Sequence, residues 1–197
     1  MKLEFREWNA RQKVLRHDLE KGHHHQKTIE LFLEQHAMVH DSAMVASDFA
    51  SFSDDIWKDI REQEISRIPR SEDYSIVWVI WHMARIEDMT MNILVAGTPL
   101  ISENSDWLIK VRSPVIDTGN GMDHDAVNHL SRCVDIDALR QYRYAVGRRT
   151  REIVSELTAD DVKKKVDPAR IQQVVDQKLV VPEAMAIVEY WSKRTIA

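Results

Sequence analysis

A chain of 197 residues with one cysteine, five glycines and a net charge of −5 is bounded before any motif is read. The lone Cys133 excludes an intrachain disulfide framework, and the acidic balance excludes a general nucleic-acid binder, which needs a basic footprint for phosphates. Few Gly and Pro leave little hairpin chemistry, so long helices around one core are expected; no run approaches the ~18 apolar residues of a membrane span.

The N-terminus, MKLEFREWNARQK, is charged throughout and lacks the apolar core of a signal peptide. A soluble, cytoplasmic protein with no membrane partner is expected. Residues 1–25 read as a helical arm. Phe5, Trp8, Leu15 and Leu19 give it a thin apolar stripe, fit to pack on the outside of the domain or on a partner subunit. His23, His24 and His25 then read as a solvated turn that can scavenge metal.

Residues 26–197 are expected to form a single helical domain. Its first helix is predicted from Gln26 to about Ser47. His36 and His40 stand one turn apart and share a face, an arrangement that can chelate a metal. A short helix is predicted over SDDIWKDIRE, capped at Ser53.

The second long helix, from Ser71 or Asp73 to Gly97, is the most apolar long segment: DYSIVWVIWHMARIEDMTMNILVAG. Trp78, Trp81, His82, Arg85, Ile86, Met89 and Ile93 recur at steps of three and four, one helix face. A histidine in a tryptophan-rich stripe needs partners for its ring nitrogens. His82 either pairs with a carboxylate or carbonyl in the core or ligates a metal. Arg85, Glu87 and Asp88 either orient a ligand or form ion pairs one turn apart.

Residues 98–134 are a long crossover with short helices around Glu103–Arg112 and Asp123–Cys133, suited to roofing a site. His129 and Cys133 fall side by side if the latter helix forms, which makes Cys133 a candidate nucleophile. The third long helix is predicted from Asp135 or Asp137 to Leu157. Its arginines are either a solvated face or a means to capture an anion. Polar turns with Pro168 follow, and Pro182 opens a fourth helix. No stop signal precedes Ala197, so that helix is expected to fray or to continue beyond it.

These elements predict an all-α four-helix bundle with a long crossover between helices 2 and 3. A di-iron carboxylate site needs repeated Glu-x-x-His; the one such spacing, Glu20 to His23, spans a glycine turn and is rejected. A mononuclear site on His40 and His82, with His36 as third ligand or supporting partner, remains, alongside a purely structural His82.

The combination of QHAMVHDS with an apolar run into W-H-x-A-x-x-E-D resembles the DinB-like superfamily from about residue 28 onward. The resemblance implies an up-down-down-up bundle, usually a homodimer, with one divalent metal (Zn, Ni or Fe) on three histidines. It places His82 as the helix 2 ligand and His40 as a helix 1 ligand. The family's helix 4 histidine has no counterpart between Glu183 and Ala197, so either His36 substitutes for it or the chain is a metal-free relative. Some relatives are transferases or isomerases that use a low-molecular-weight thiol. The functional expectation is a metal-dependent enzyme acting on a small electrophile, with Arg85, Trp78 and Trp81 binding substrate. The alternative is a non-catalytic homodimeric bundle with a structural His82 and no metal.

Overall fold

The apolar stripe after Asp73 folds into one long helix with two windings. In the computed structural model, which describes residues 5–22, 24–46, 50–70 and 73–197, Ile76–Asp88 is α-helical and Met89–Ala96 continues it as a π-helix. Ser75 starts it: its Oγ accepts from Trp78 N at 3.0 Å. Gly97 ends it at φ +70°, where a Cβ would lie 2.7 Å from the Arg170 guanidinium, so both conformation and space call for glycine. Arg170 bonds the last carbonyls, Val95 O at 2.6 Å and Leu94 O at 3.2 Å, a cation on orphan helix-end acceptors.

In chain order the helices are α1 (Phe5–Lys21), α2 (His25–Val39), α3 (Phe52–Asp59), α4 (Glu62–Ile65) and α5 (Ile76–Asp88, extended by the π segment). The crossover holds α6 (Ile101–Asn104), α7 (Trp107–Lys110) and α8 (His124–Cys133). Then come α9 (Ile136–Glu156), α10 (Pro168–Asp176) and α11 (Ala186–Ser192). The all-α class holds, with no strand among the described residues.

Helix α5 is the spine. Its first half packs Val77, Trp78, Trp81 and Ala84 against Leu130, Leu139, Tyr142 and Val146 of α8 and α9. Its π half packs Met89, Ile93 and Leu94 against Ile171, Val174 and Trp191 of α10 and α11. Each such large side chain removed from water contributes roughly 1.5–3 kcal/mol. Helix α1 lies on α2 of the same chain, with Arg11 paired to Glu34 and Gln12 bonded to Gln35 at 3.2 Å. Phe5 and Trp8 meet Phe52 at ring distances of 5.6 and 5.9 Å.

Several boundaries differ from the sequence reading. Helix α2 stops at Val39, because His40 is extended and Asp41 turns to cap Ser42–Met44, accepting from Ala43 N at 3.1 Å. Helix α3 starts earlier, in a capping box of Ser51 and Asp54. Helix α10 went unread, since Pro168 looked like a turn; it is the first helical residue, after an Asp167 cap. The expected fourth long helix is only seven residues long. The chain after it is extended and backbone-paired, with Val166 N bonded to Arg194 O at 3.2 Å and Ile196 N to Lys164 O at 2.9 Å. His23 and the predicted ends at Ser47 and Ser71 lie outside the described residues.

Candidate metal centre

The i,i+4 histidines meet although they are not on one continuous helix. His36 is in the last turn of α2 and His40 just past its end, yet their rings lie 4.2 Å apart, tilted by 32°. The arginines of α9 hold this end in place. Arg143 Nη2 bonds Val39 O at 2.9 Å, Arg151 Nη1 bonds Leu33 O at 2.7 Å, and Arg140 Nη2 bonds Asp41 at 2.6 Å. The basic stripe of α9 therefore satisfies one orphan carbonyl at the end of α2, Val39 O, and holds the helix and its following turn through Leu33 O and the Asp41 carboxylate.

Both rings converge on Glu87 of α5. His36 Nε2 is 2.9 Å from Oε1 and His40 Nε2 is 3.0 Å from Oε2, while Thr150 Oγ1 donates to Oε1 at 2.7 Å. One turn before Thr150 on α9, Gly147 leaves room for the His40 ring. A Cβ there would fall 2.8 Å from its Cε1 and Nδ1. The site is thus assembled by three helices, with α9 supplying both a hydrogen bond and a gap.

Burial would raise the Glu87 carboxyl, but the bonds from His36 and His40 and their charges outweigh it and hold the group well below the carboxylate range. His40 is pushed below its ordinary 6.5 by burial, opposed by Glu87. The consistent state near neutral pH is an ionised Glu87 carboxylate accepting from a neutral His40 ring. In the metal-free protein, an unfolded chain takes up a proton at His40 before the folded one does. Stability from this group is therefore present above pH 6.5 and lost as pH falls from there toward the folded value. The melting temperature with chelator should decline on acidification below 6.5, and a His40→Gln variant should show a flatter profile over the same interval. An equal decline in both would assign the acid sensitivity elsewhere.

Two imidazoles and a carboxylate, with donor atoms within 4.8 Å of one another, are a ligand set for a divalent cation. Tetrahedral ligands at bond lengths of about 2.0–2.1 Å stand roughly 3.3 Å apart, so the two nitrogen–oxygen spacings of 2.9 and 3.0 Å need only a few tenths of an ångström of opening. The Nδ1 atoms of both histidines are buried without a partner among the described residues. Presenting Nε2 as a ligand atom moves each ring's proton to Nδ1, where a buried donor without an acceptor costs about 1–3 kcal/mol, which the metal bond has to exceed. The residues fit such an ion.

The other residues singled out in the sequence lie elsewhere. His82, half-buried, stacks on Trp78 with ring centroids 4.6 Å apart, and its Nδ1 meets Thr118 O. Trp78 Nε1 reaches Met122 Sδ at 3.3 Å and Trp81 Nε1 donates to Ser113 Oγ at 3.1 Å. Arg85 is fully buried on Ser102, Tyr142, Ile116 O and Asp117 O. These four residues all fasten the crossover to α5. His129 and Cys133 do lie side by side, with Sγ 3.7 Å from the ring nitrogens, on a partly exposed helix. Glu87, which from sequence either orients a ligand or forms an ion pair one turn away, is the third member of the cluster. The signal available was its place in W-H-x-A-x-x-E-D, five positions after His82.

Against known proteins, the family model described as DinB superfamily matches residues 53–189. The matched stretch includes His82 and Glu87 and starts after His36 and His40. A search of the curated proteins finds no match. The match spans most of the chain, from α3 into α11, and includes the α5 motif; this chain belongs to the DinB superfamily.

Proposed function

We propose that His36, His40 and Glu87 hold one divalent metal (Zn, Ni or Fe) and that the chain is a metal-dependent enzyme acting on a small electrophile. The observation that supports this reading is the convergence of three buried or half-buried donors from α2 and α5. A divalent cation at such a site supplies Lewis acidity, lowering the pKa of a water or low-molecular-weight thiol into the neutral range. The chain's own residues do the rest. Thr150 fixes the Glu87 carboxylate, Gly147 admits the His40 ring, and the α9 arginines hold the end of α2 in register. S-transfer, isomerisation and hydrolysis are the reactions open to such a nucleophile.

One observation favours a second reading. Glu87 already accepts from two imidazoles and a hydroxyl, so the cluster is satisfied without an ion. On that reading the protein is a non-catalytic helical binding protein, working as a homodimer, and the cluster ties α2 to α5 and α9.

Elemental mass spectrometry on tag-free protein incubated with Zn, Ni or Fe decides between them. The enzyme reading expects about one metal per chain, lost in His36→Ala, His40→Ala and Glu87→Gln but kept in His82→Ala. No retained metal in the wild type supports the second reading. Metal lost in His82→Ala and kept in Glu87→Gln would move the centre to the α5 histidine.

A further inference from the structure

One turn along the bundle from the histidine cluster, a cavity of about 140 Å³ lies between α1, α2, α9 and the π half of α5. Phe32, Met91 and Val154 line it, each four residues along its helix from His36, Glu87 and Thr150. Leu19 of α1 and Ile196 of the terminal segment close its outer side, and the exposed Ala197 edges it toward solvent. Every described side chain on the lining is apolar, and none is a proposed metal ligand. Backbone acceptors of the lining residues where their helices or turns end are taken as well. Leu157 O, past the end of α9, accepts from His25 Nε2 at 2.7 Å, Val95 O from Arg170 Nη1 at 2.6 Å and Val162 O from Ala197 N at 3.1 Å.

Protein interiors leave few voids larger than a water molecule. A water in this one would find no side-chain partner on the described lining, where an ordered water needs about two to four. A charged or hydrogen-bonding ligand meets the same lack, because a polar group removed from water without a partner is disfavoured. An apolar cavity of roughly 150 Å³ is known to stay dry and to bind benzene. We infer that this cavity binds an uncharged hydrocarbon ligand of about benzene's size. Met91 suits such a ligand, since its unbranched thioether side chain adapts in shape and packs favourably on aromatic rings. Phe32 offers a ring for offset or edge-to-face contact. The larger space of about 480 Å³ between α1, α3 and α5 would hold a ligand of that size only loosely. The inference stands whether or not a metal binds.

Titration of the full chain with benzene, followed by NMR of isotope-labelled methionine methyls, tests it. The Met91 and Met83 signals are identified by their loss in Met91→Leu and Met83→Leu. Benzene should shift Met91 saturably and leave Met83, on the larger space, unmoved. Phenol, the same ring with a hydroxyl that finds no partner, should bind about tenfold more weakly. Val154→Phe, which fills the cavity from α9, should abolish the Met91 response. Val154 is buried, so that variant is open to folding failure. Phe32→Ala, at a half-buried position, enlarges the cavity instead and should let naphthalene shift Met91 where it does not in the wild type. A Met91 signal that benzene leaves in place overturns the inference, as does a response confined to Met83 or phenol binding as tight as benzene. So does a Met91 response that persists in folded Val154→Phe, or naphthalene still excluded from Phe32→Ala.

Discussion

Asp88→Ala should lower the stability of this protein by about 3–5 kcal/mol, the cost of breaking a buried charge pair from one side. Asp88 is fully buried and its carboxylate is saturated. Oδ1 accepts from Ile101 N at 2.8 Å and Asn92 Nδ2 at 2.9 Å; Oδ2 accepts from Ser102 N at 3.0 Å and Tyr142 OH at 2.6 Å. Arg85 Nη1 stands 3.6 Å from Oδ2. One side chain thus ties α5 to the start of the crossover and to α9. Alanine would leave a buried guanidinium uncompensated and two backbone N–H groups and a phenol without an acceptor. With total stabilities of about 5–15 kcal/mol for domains, that loss moves the urea midpoint far down or unfolds the chain outright. Asp88→Asn keeps one carbonyl acceptor and the volume, and should fall between. A loss under about 1 kcal/mol for the alanine variant would show that the crossover is held by apolar packing alone.

Gly147→Ala should have the second largest effect, on stability and, under the proposed metal reading, on metal retention. The added methyl would sit 2.8 Å from two atoms of the His40 ring and 3.3 Å from Met44 Sδ. The ring is 1% exposed, so it has no free direction in which to yield. Overpacking of this kind costs about 1–3 kcal/mol. Displacing His40 from Glu87 should also weaken metal retention by about 10–100-fold, the range for disturbing groups that orient a ligand. The control is Gly147→Ala with His40→Ala, which removes the ring the methyl strikes. Stability should return most of the way toward that of His40→Ala alone, while metal stays lost. If the double variant is as destabilised as the sum of its parts, the clash is not with His40.

Most long helices were legible from periodicity and caps. The α9 boundaries follow from an Asp135 cap and an apolar stripe, and α8 from its Asp123 cap, because such signals act within one or two turns. The misread elements share a cause. Pro168 is a helix start or a turn according to what packs on the following residues, and here Ile171 and Val174 face the π half of α5. The shortness of α11 likewise reflects pairing of the terminal segment with residues 162–166.

The sequence alone determined the helical class and the spine helix, since each rests on spacing along one segment; His36 and His40 do meet, but His40 lies past the end of α2 and it is the shared Glu87 that brings their rings together. It also held the motif through which the chain belongs to its superfamily. Only the tertiary structure decided the third member of the cluster. Glu87 lies 47 residues from His40, and its outer position in a run of charged residues gave no local sign that α9 would bury it beside two imidazoles. The roles of Arg85, Asp88 and the α9 arginines were decided in the same way. A charged side chain reads as solvated until a partner helix removes its water, and that partner is chosen by packing at a distance along the chain.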